Sequence, residues 1–337
     1  MNRDITKLIA DIKGIIDRHQ LGRTGTYARW LWQPVNPDAR RRLLGINEYG
    51  CADAANILYT IGEFPSEPEE RQAWVNALQS LQHPDTGFFM EETHHNIHTT
   101  AHCIAALELF DQKALHPLKA LHPYCTREGL YRMLEGLEWD DNPWNASHQG
   151  AGLFAALVLQ GEVDLQWKEW YFDWFWENAD PETGFWRKGS IGKNENVGIF
   201  PHLAGTFHYL FNHEYAHMPL RYPEKMVDTC LDILDNNLWP ILGKNIGFSE
   251  IDWVFCLTRA TRQCPWRFEE GREALRRFAE AYLDYLESLD PMTDDGLNDL
   301  HALFGAVCCL AELQAALPGE ITSEKPLKLV LDRRPFI

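Results

Sequence analysis

No apolar run in this chain is long enough to span a bilayer. The opening stretch MNRDITKLIADIKGIIDRHQ intersperses acids among its apolar residues, so it lacks the continuous apolar core of a secretory signal. A cytoplasmic protein with no membrane partner is the expectation. The eight cysteines include no Cys-x-x-Cys pair, and Cys308-Cys309 lie in an apolar run where thiols behave as small hydrophobes. That pattern points to reduced, buried thiols. Basic residues are scarce, 31 Lys and Arg against 49 Asp and Glu, and a formal charge of −18 repels nucleic-acid backbones and anionic lipid alike. No sustained two-residue alternation of β-branched side chains argues for a large sheet, and no linker rich in Gly, Ser or Pro divides the chain. Residues 1–337 therefore read as a single domain.

What the chain does have is helical periodicity of two kinds. Ile5, Leu8, Ile9, Ile12, Ile15 and Ile16 follow the three-four spacing of an amphipathic surface helix, whereas CADAANILYTIG is small or apolar on nearly every side. The alternation recurs to the end: amphipathic segments at 68–82, 126–139, 165–179, 222–239 and 269–289 are each followed by an apolar one, at 98–110, 146–160, 202–213, 250–261 and 298–317. A helix apolar all round must be covered all round, and an amphipathic one can do the covering. Six such pairs predict an all-α fold, an (α/α)6 toroid of six helical hairpins with inner helices around a central funnel. A plain α-solenoid is the structural alternative. The tail after residue 317 is expected to pack along the outside. An internal repeat supports a repeating unit: Pro84-Asp85-Thr86-Gly87-Phe88-Phe89 returns as Pro181-Glu182-Thr183-Gly184-Phe185-Trp186. Both read as turns whose aromatics fill the gap between helices.

In such an arrangement, polar residues at the starts of the inner helices converge on one mouth. They include Glu48, Tyr49 and Asp53 from the first pair, His94, His95, His98 and His102 from the second, and Trp144, Asn145, His148 and Gln149 from the third. His202 and His208, then Glu250, Asp252 and Trp253, then Asp299 and His301 complete the set. His98 and His102 are one helical turn apart, so a zinc ion with His94 or His95 is one reading. No His-Glu-x-x-His or Cys/His signature accompanies them, and the reading adopted is metal-free and cofactor-free, the imidazoles binding substrate. Gly150 and Gly152 leave room for a ligand or for another helix. The carboxylates Glu48, Asp53, Glu250 and Asp252 are a candidate general acid and base, with His148 beside them. The Trp-rich helix at 165–179 is expected to pack between rings, while Trp30, Trp32, Trp186 and Trp253 are candidates for stacking on a ligand.

The repeated turn and the inner helix HTTAHCIAALELF resemble the α/α-toroid superfamily. LQHPDTGFF is similar to repeats of terpenoid cyclases and protein prenyltransferase β-subunits. The DPETGFW turn and NPWNASHQGAGLFAALVLQGE resemble six-hairpin carbohydrate enzymes, such as unsaturated glucuronyl hydrolases and the toroid domains of polysaccharide lyases. The cyclase Asp-x-Asp-Asp motif is absent, Glu138-Trp139-Asp140-Asp141 being the nearest approach. The first expectation is a hydrolase or lyase acting on a small oligosaccharide, with Asp252 or Glu250 as acid, Asp53 or Glu48 as base, and His94, His95, His98, His102, Trp144, Asn145, Gln149, His202, Trp253, Asp299 and His301 around the substrate. An isoprenoid cyclase or prenyl-transfer enzyme using Asp140 and Asp141 is the alternative, and a non-catalytic ligand-binding toroid is a third.

Overall fold

Amphipathic and all-apolar segments both become helices. A computed structural model describes residues 1–36, 38–238 and 243–337, and Trp239, at the end of the fifth amphipathic segment, lies outside the described residues. The amphipathic set forms α1 (Thr6–His19), α3 (Pro68–Gln79), α5 (Arg127–Glu135), α7 (Leu165–Asn178), α9 (Pro223–Asp235) and α11 (Phe268–Ser288). The apolar set forms α2 (Glu48–Thr60), α4 (Asn96–Glu108), α6 (Pro143–Gln160), α8 (Ile199–Ala216), α10 (Ser249–Gln263) and α12 (Leu300–Ala316). Burial separates the two sets: α1 buries Ile12, Ile15, Ile16 and His19, whereas α4 buries every residue from Ile97 to Leu107. The second set makes contacts in chain order, α2 with α4, then α6, α8, α10 and α12, and α12 in turn contacts α2. Among the described residues the only strands are β1 (Arg3–Asp4) and β2 (Ile321–Thr322), a parallel pair that joins the two ends of the chain.

Polar side-chain caps start four helices of the apolar set, whereas α8 and α10 begin without one. Asn47 accepts from the Tyr49 and Gly50 amides, His95 from Ile97, Asn142 from Asn145, and Asp299 from His301, each satisfying a helix-end donor that would otherwise have no partner. Gly150 and Gly152 serve helix packing. A Cβ on the first would lie 2.6 Å from the Tyr209 hydroxyl of α8, and on the second 3.2 Å from Ile97 of α4.

The repeated turns are alike down to their hydrogen bonds. His83 N–H donates to Phe88 O at 2.8 Å and Gly87 N–H to His83 O at 2.9 Å, while Asp180 N–H donates to Phe185 O at 2.8 Å and Gly184 N–H to Asp180 O at 2.9 Å. Each turn then reaches the next inner helix through a threonine, Phe89 N–H to Thr100 Oγ1 and Trp186 N–H to Thr206 Oγ1. Phe89, Phe185 and Trp186 are buried. Trp186 is thus a core residue, packed on Tyr209 and His213 and not available for stacking on a ligand. Trp167 and Trp174 are also buried, as expected for the Trp-rich helix, but Trp176 is exposed.

The tail departs from expectation. After β2, a last short helix α13 (Val330–Arg333) contacts α8 and α2, and Arg334, Phe336 and Ile337 are buried instead of lying on the outside. Asn212 Nδ2 donates to Pro335 O at 3.0 Å, and Arg334 Nε to Asn56 Oδ1 at 2.9 Å. The physical reason is that Val330, Leu331, Phe336 and Ile337 carry too much apolar surface to leave in water, and Asn212 and Asn56 supply partners for the Pro335 carbonyl and the Arg334 Nε.

Gly184 and Gly189 both have positive φ, 77° and 79°, but only Gly184 is crowded, with Met226 N at 2.6 Å and Tyr222 O at 2.7 Å from an added Cβ. Gly189→Ala is expected to cost about 1–2 kcal/mol for the left-handed backbone alone. Gly184→Ala should cost about 1–3 kcal/mol more, for the overpacking. Urea denaturation of the two variants checks this; equal losses would mean that the turn is not wedged against α9.

Candidate functional site

Six imidazoles meet between the inner helices, and they fall into distinct groups. Asp53 of α2 is fully buried and accepts from His102 Nε2 of α4 at 2.7 Å and from His301 Nδ1 of α12 at 3.1 Å. Burial pushes the Asp53 carboxyl up, but His301 and His102 outweigh it and hold the group well below the usual carboxylate range. Burial lowers His301 to about 3. Asp53 is therefore a buried anion held by two imidazole N–H groups.

His98 does not join His102, although the two share a helix face. Their stacked rings are 6.4 Å apart, and His98 turns instead to His148 of α6 at 4.4 Å and His208 of α8 at 5.9 Å. Its Nδ1 lies 2.6 Å from the Tyr49 hydroxyl, which is itself 3.2 Å from Thr99 Oγ1. Phe336 from the tail meets His98 in a T-shaped contact, ring centroids 4.9 Å apart. Burial lowers His98, His148 and His208, the last to about 3.

His94 lies over this interior at the mouth. Its ring stacks on His98 at 4.8 Å and tilts on Tyr49 at 4.6 Å, while 14% of its side chain stays exposed. The hydroxyl of Thr93 gives its proton to Glu91 Oε2 and accepts from Arg29 Nη1 at 2.8 Å, which leaves it to accept from His94 Nδ1–H at 2.7 Å. His94 Nε2 then carries the free lone pair. Burial lowers the His94 pKa against the pull of Glu91, and Glu91 itself, raised by burial, is brought down to about 2, first by His94 and Thr93. Arg29 closes the mouth by a bidentate pair to Asp299, 2.8 and 3.0 Å. Beside this group is a cavity of about 210 Å³ lined by Trp30, Arg40, Arg41, Arg42, Glu91 and Thr93 among others.

The remaining expected residues are more dispersed. Glu250 and Asp252 are buried on α10, Glu250 Oε1 and Asp252 Oδ1 have no hydrogen-bond partner among the described residues, and burial raises Glu250 to about 7 and Asp252 well above its ordinary value. Glu48 is half-buried at the start of α2 and is likewise raised to about 7 by burial. Among the described residues no hydrogen bond or ion pair links Glu250 or Asp252 to Asp53 or Glu48. Trp253 points to the outer layer, its Nε1 donating to Cys230 O and its ring against Phe278, so it packs the core and does not face the interior. His202 is buried with neither nitrogen partnered, near Asp140 and Asp180. Trp144 is exposed and meets His148 edge-on at 5.0 Å, Asn145 and Gln149 are half-buried, and His95 is an exposed cap. Asp299 is both the cap of α12 and the partner of Arg29. Arg29, Glu91 and Thr93 were not anticipated; the sequence signal for two of them is the run Glu91-Glu92-Thr93-His94, which puts an acid and a hydroxyl just before the imidazole.

Comparison with protein-family models, with curated proteins and with solved structures finds no match for this chain. The functional reading therefore rests on the geometry alone.

Away from this interior, His19, His202 and His213 are buried and burial lowers each to about 4. An unfolded chain takes up these protons as the pH falls through about 6.5, and the native one does not until about 4. The stability they confer is complete above about pH 6.5 and is lost on acidification toward 4, at up to about 1.4 kcal/mol per pH unit for each. Urea midpoints at pH 7, 6 and 5 should fall in order, and His213→Leu should flatten the slope by about one proton. A flat profile would contradict the burial of neutral rings.

Proposed function

We propose that the helices form an (α/α)6 toroid and that the protein is a carbohydrate-active enzyme of lyase type, working at the mouth where His94 lies. The toroid is supported by the contacts of the inner helices, which run in chain order and return from α12 to α2. The enzymatic reading rests chiefly on the Glu91–Thr93–His94 chain, in which a carboxylate and a hydroxyl orient an imidazole whose Nε2 is free. A neutral, oriented and partly exposed imidazole, whose partners Glu91 and Thr93 line a cavity, is suited to general-base chemistry. On a uronate-type sugar, His94 takes the proton from the carbon next to the carboxylate. The bond from the neighbouring carbon to the glycosidic oxygen breaks, a carbon–carbon double bond forms, and the proton returns to the leaving oxygen. Arg41 lines the cavity with no ion-pair or hydrogen-bond partner among the described residues, and is the cation for the substrate carboxylate.

Two-carboxylate hydrolysis is less well supported, because Asp53 is engaged by two imidazoles and Glu250 and Asp252 have no link to the mouth. The isoprenoid reading is weaker for a similar reason. Asp140 pairs with Lys193 and Asp141 with Asn194 at a separate surface cavity of about 480 Å³.

The test is incubation with uronate-containing oligosaccharides, read as the ultraviolet absorbance of a double bond conjugated to a carboxylate. His94→Ala is expected to lower kcat by about 10²–10⁴-fold with an unchanged melting temperature. New reducing ends without that absorbance would replace lyase by hydrolase. No turnover of any such saccharide would remove the carbohydrate reading.

A further inference from the structure

Beneath the mouth, His98, His148 and His208 come from three different helices, are buried, and each offers one nitrogen within 4.8 Å of the other two. For His208 the hydrogen bonds say which nitrogen that is. His208 Nδ1 lies 3.1 Å from Ala204 O, a carbonyl that can only accept, and 3.1 Å from Ser147 Oγ, whose own proton goes to Trp144 O at 2.5 Å. Nδ1 is therefore protonated and Nε2 carries a lone pair. On His98, Nδ1 pairs with the Tyr49 hydroxyl, and in the tautomer that donates Nδ1–H to that oxygen while the Tyr49 proton goes to Thr99 Oγ1, Nε2 is left unprotonated. Neither nitrogen of His148 has a hydrogen-bond partner among the described residues. Lone pairs gathered this closely in a buried space repel one another unless a cation or a water lies between them.

We propose that His98, His148 and His208 form a binding site for a single divalent transition-metal ion of the zinc class. Three neutral imidazoles match the preference of zinc, and they leave a fourth position open. Around an ion with bonds of about 2.0–2.1 Å, tetrahedral nitrogens are about 3.3 Å apart, so each ring has to move by less than about 1 Å. The hydrogen bonds from Nδ1 to Tyr49 and to Ala204 are the outer partners that fix ligand tautomers in such sites. The neighbouring Asp53, His102 and His301 are also close enough to hold an ion. There, however, both imidazole nitrogens facing Asp53 already give their protons to it, and a metal would have to displace those bonds. The proposal is independent of the lyase reading, since it requires no particular reaction.

Metal analysis of protein prepared without nickel or chelator is expected to find about one zinc per chain. The metal-stripped protein titrated with Co²⁺ should show the intense visible bands of a tetrahedral site. His148→Gln and His208→Gln should each lower metal content at least tenfold, while His122→Gln, on the surface beside Glu162, and His301→Gln should not change it. Loss in His301→Gln with retention in His148→Gln would move the ion to the Asp53 group and overturn the assignment. Retention in both ligand variants would also overturn it. Should those variants fail to fold, the Co²⁺ spectrum of the native chain decides, because weak octahedral bands or no uptake would mean that water alone occupies the space.

Discussion

The arrangement of the interior depends on one buried anion. Asp53 has no access to solvent, so its charge is tolerable only while donors from α4 and α12 stay within reach, and His301 is 248 residues away along the chain. The first, second and last inner helices are thereby bound to a common register. A second buried ion helps to balance it. Arg334 is lowered to about 10 by burial but supported by Cys308 and Asp53, and its two Nη groups have no hydrogen-bond partner among the described residues. Electrostatics as well as the apolar tail side chains thus favour the end of the chain inside the helical layer. A buried carboxylate with an oriented pair of imidazoles is also what keeps His301 in one tautomer next to Tyr49 and His94.

Local pattern made the helices legible. The three-four spacing of Ile5 to Ile16 marks α1, and the unbroken apolar surface of HTTAHCIAALELF marks α4, because a helix reports its burial through the period of its side chains. The turns at Gly87 and Gly184 were legible for the same local reason. A third related turn, in which Asp290 accepts from the Met292 amide and the Thr293 hydroxyl, lacks the sequence signature because no glycine follows its threonine directly. Site residues were harder. One helical turn between His98 and His102 told that they share a face, but which imidazole meets Asp53 and which meets His148 is decided by helices far away in sequence. Trp253 and Glu250 lie on a helix buried all round, where apolarity gives no hint of which side faces inward. The Glu91–Thr93–His94 chain depends on loop geometry, which no periodicity encodes.

His98 connects the two proposed sites. One nitrogen pairs with Tyr49, on which His94 also rests, and the ring lies against those of His148 and His208. On the proposed reading, a cation bound below would draw electron density through that ring and strengthen its N–H toward Tyr49. The mouth and the chamber beneath it are then one electrostatic unit, with the base exposed to substrate and the ion shielded by Phe336.

The parallel pairing of Arg3–Asp4 with Ile321–Thr322 gives the molecule a seam. Arg29 with Asp299, Arg3 with Asp284 and Glu287, and Arg42 with Asp295 lie along it, so the contacts holding first and last helices together include ion pairs that span almost the whole sequence. Joining such distant segments carries a loop-closure entropy that neighbouring hairpins do not incur. Such a seam is expected to assemble last, after contacts nearer in sequence have formed. By the same logic it governs how long the folded molecule persists: contacts absent from the folding transition state leave the folding rate alone and act on the rate of opening.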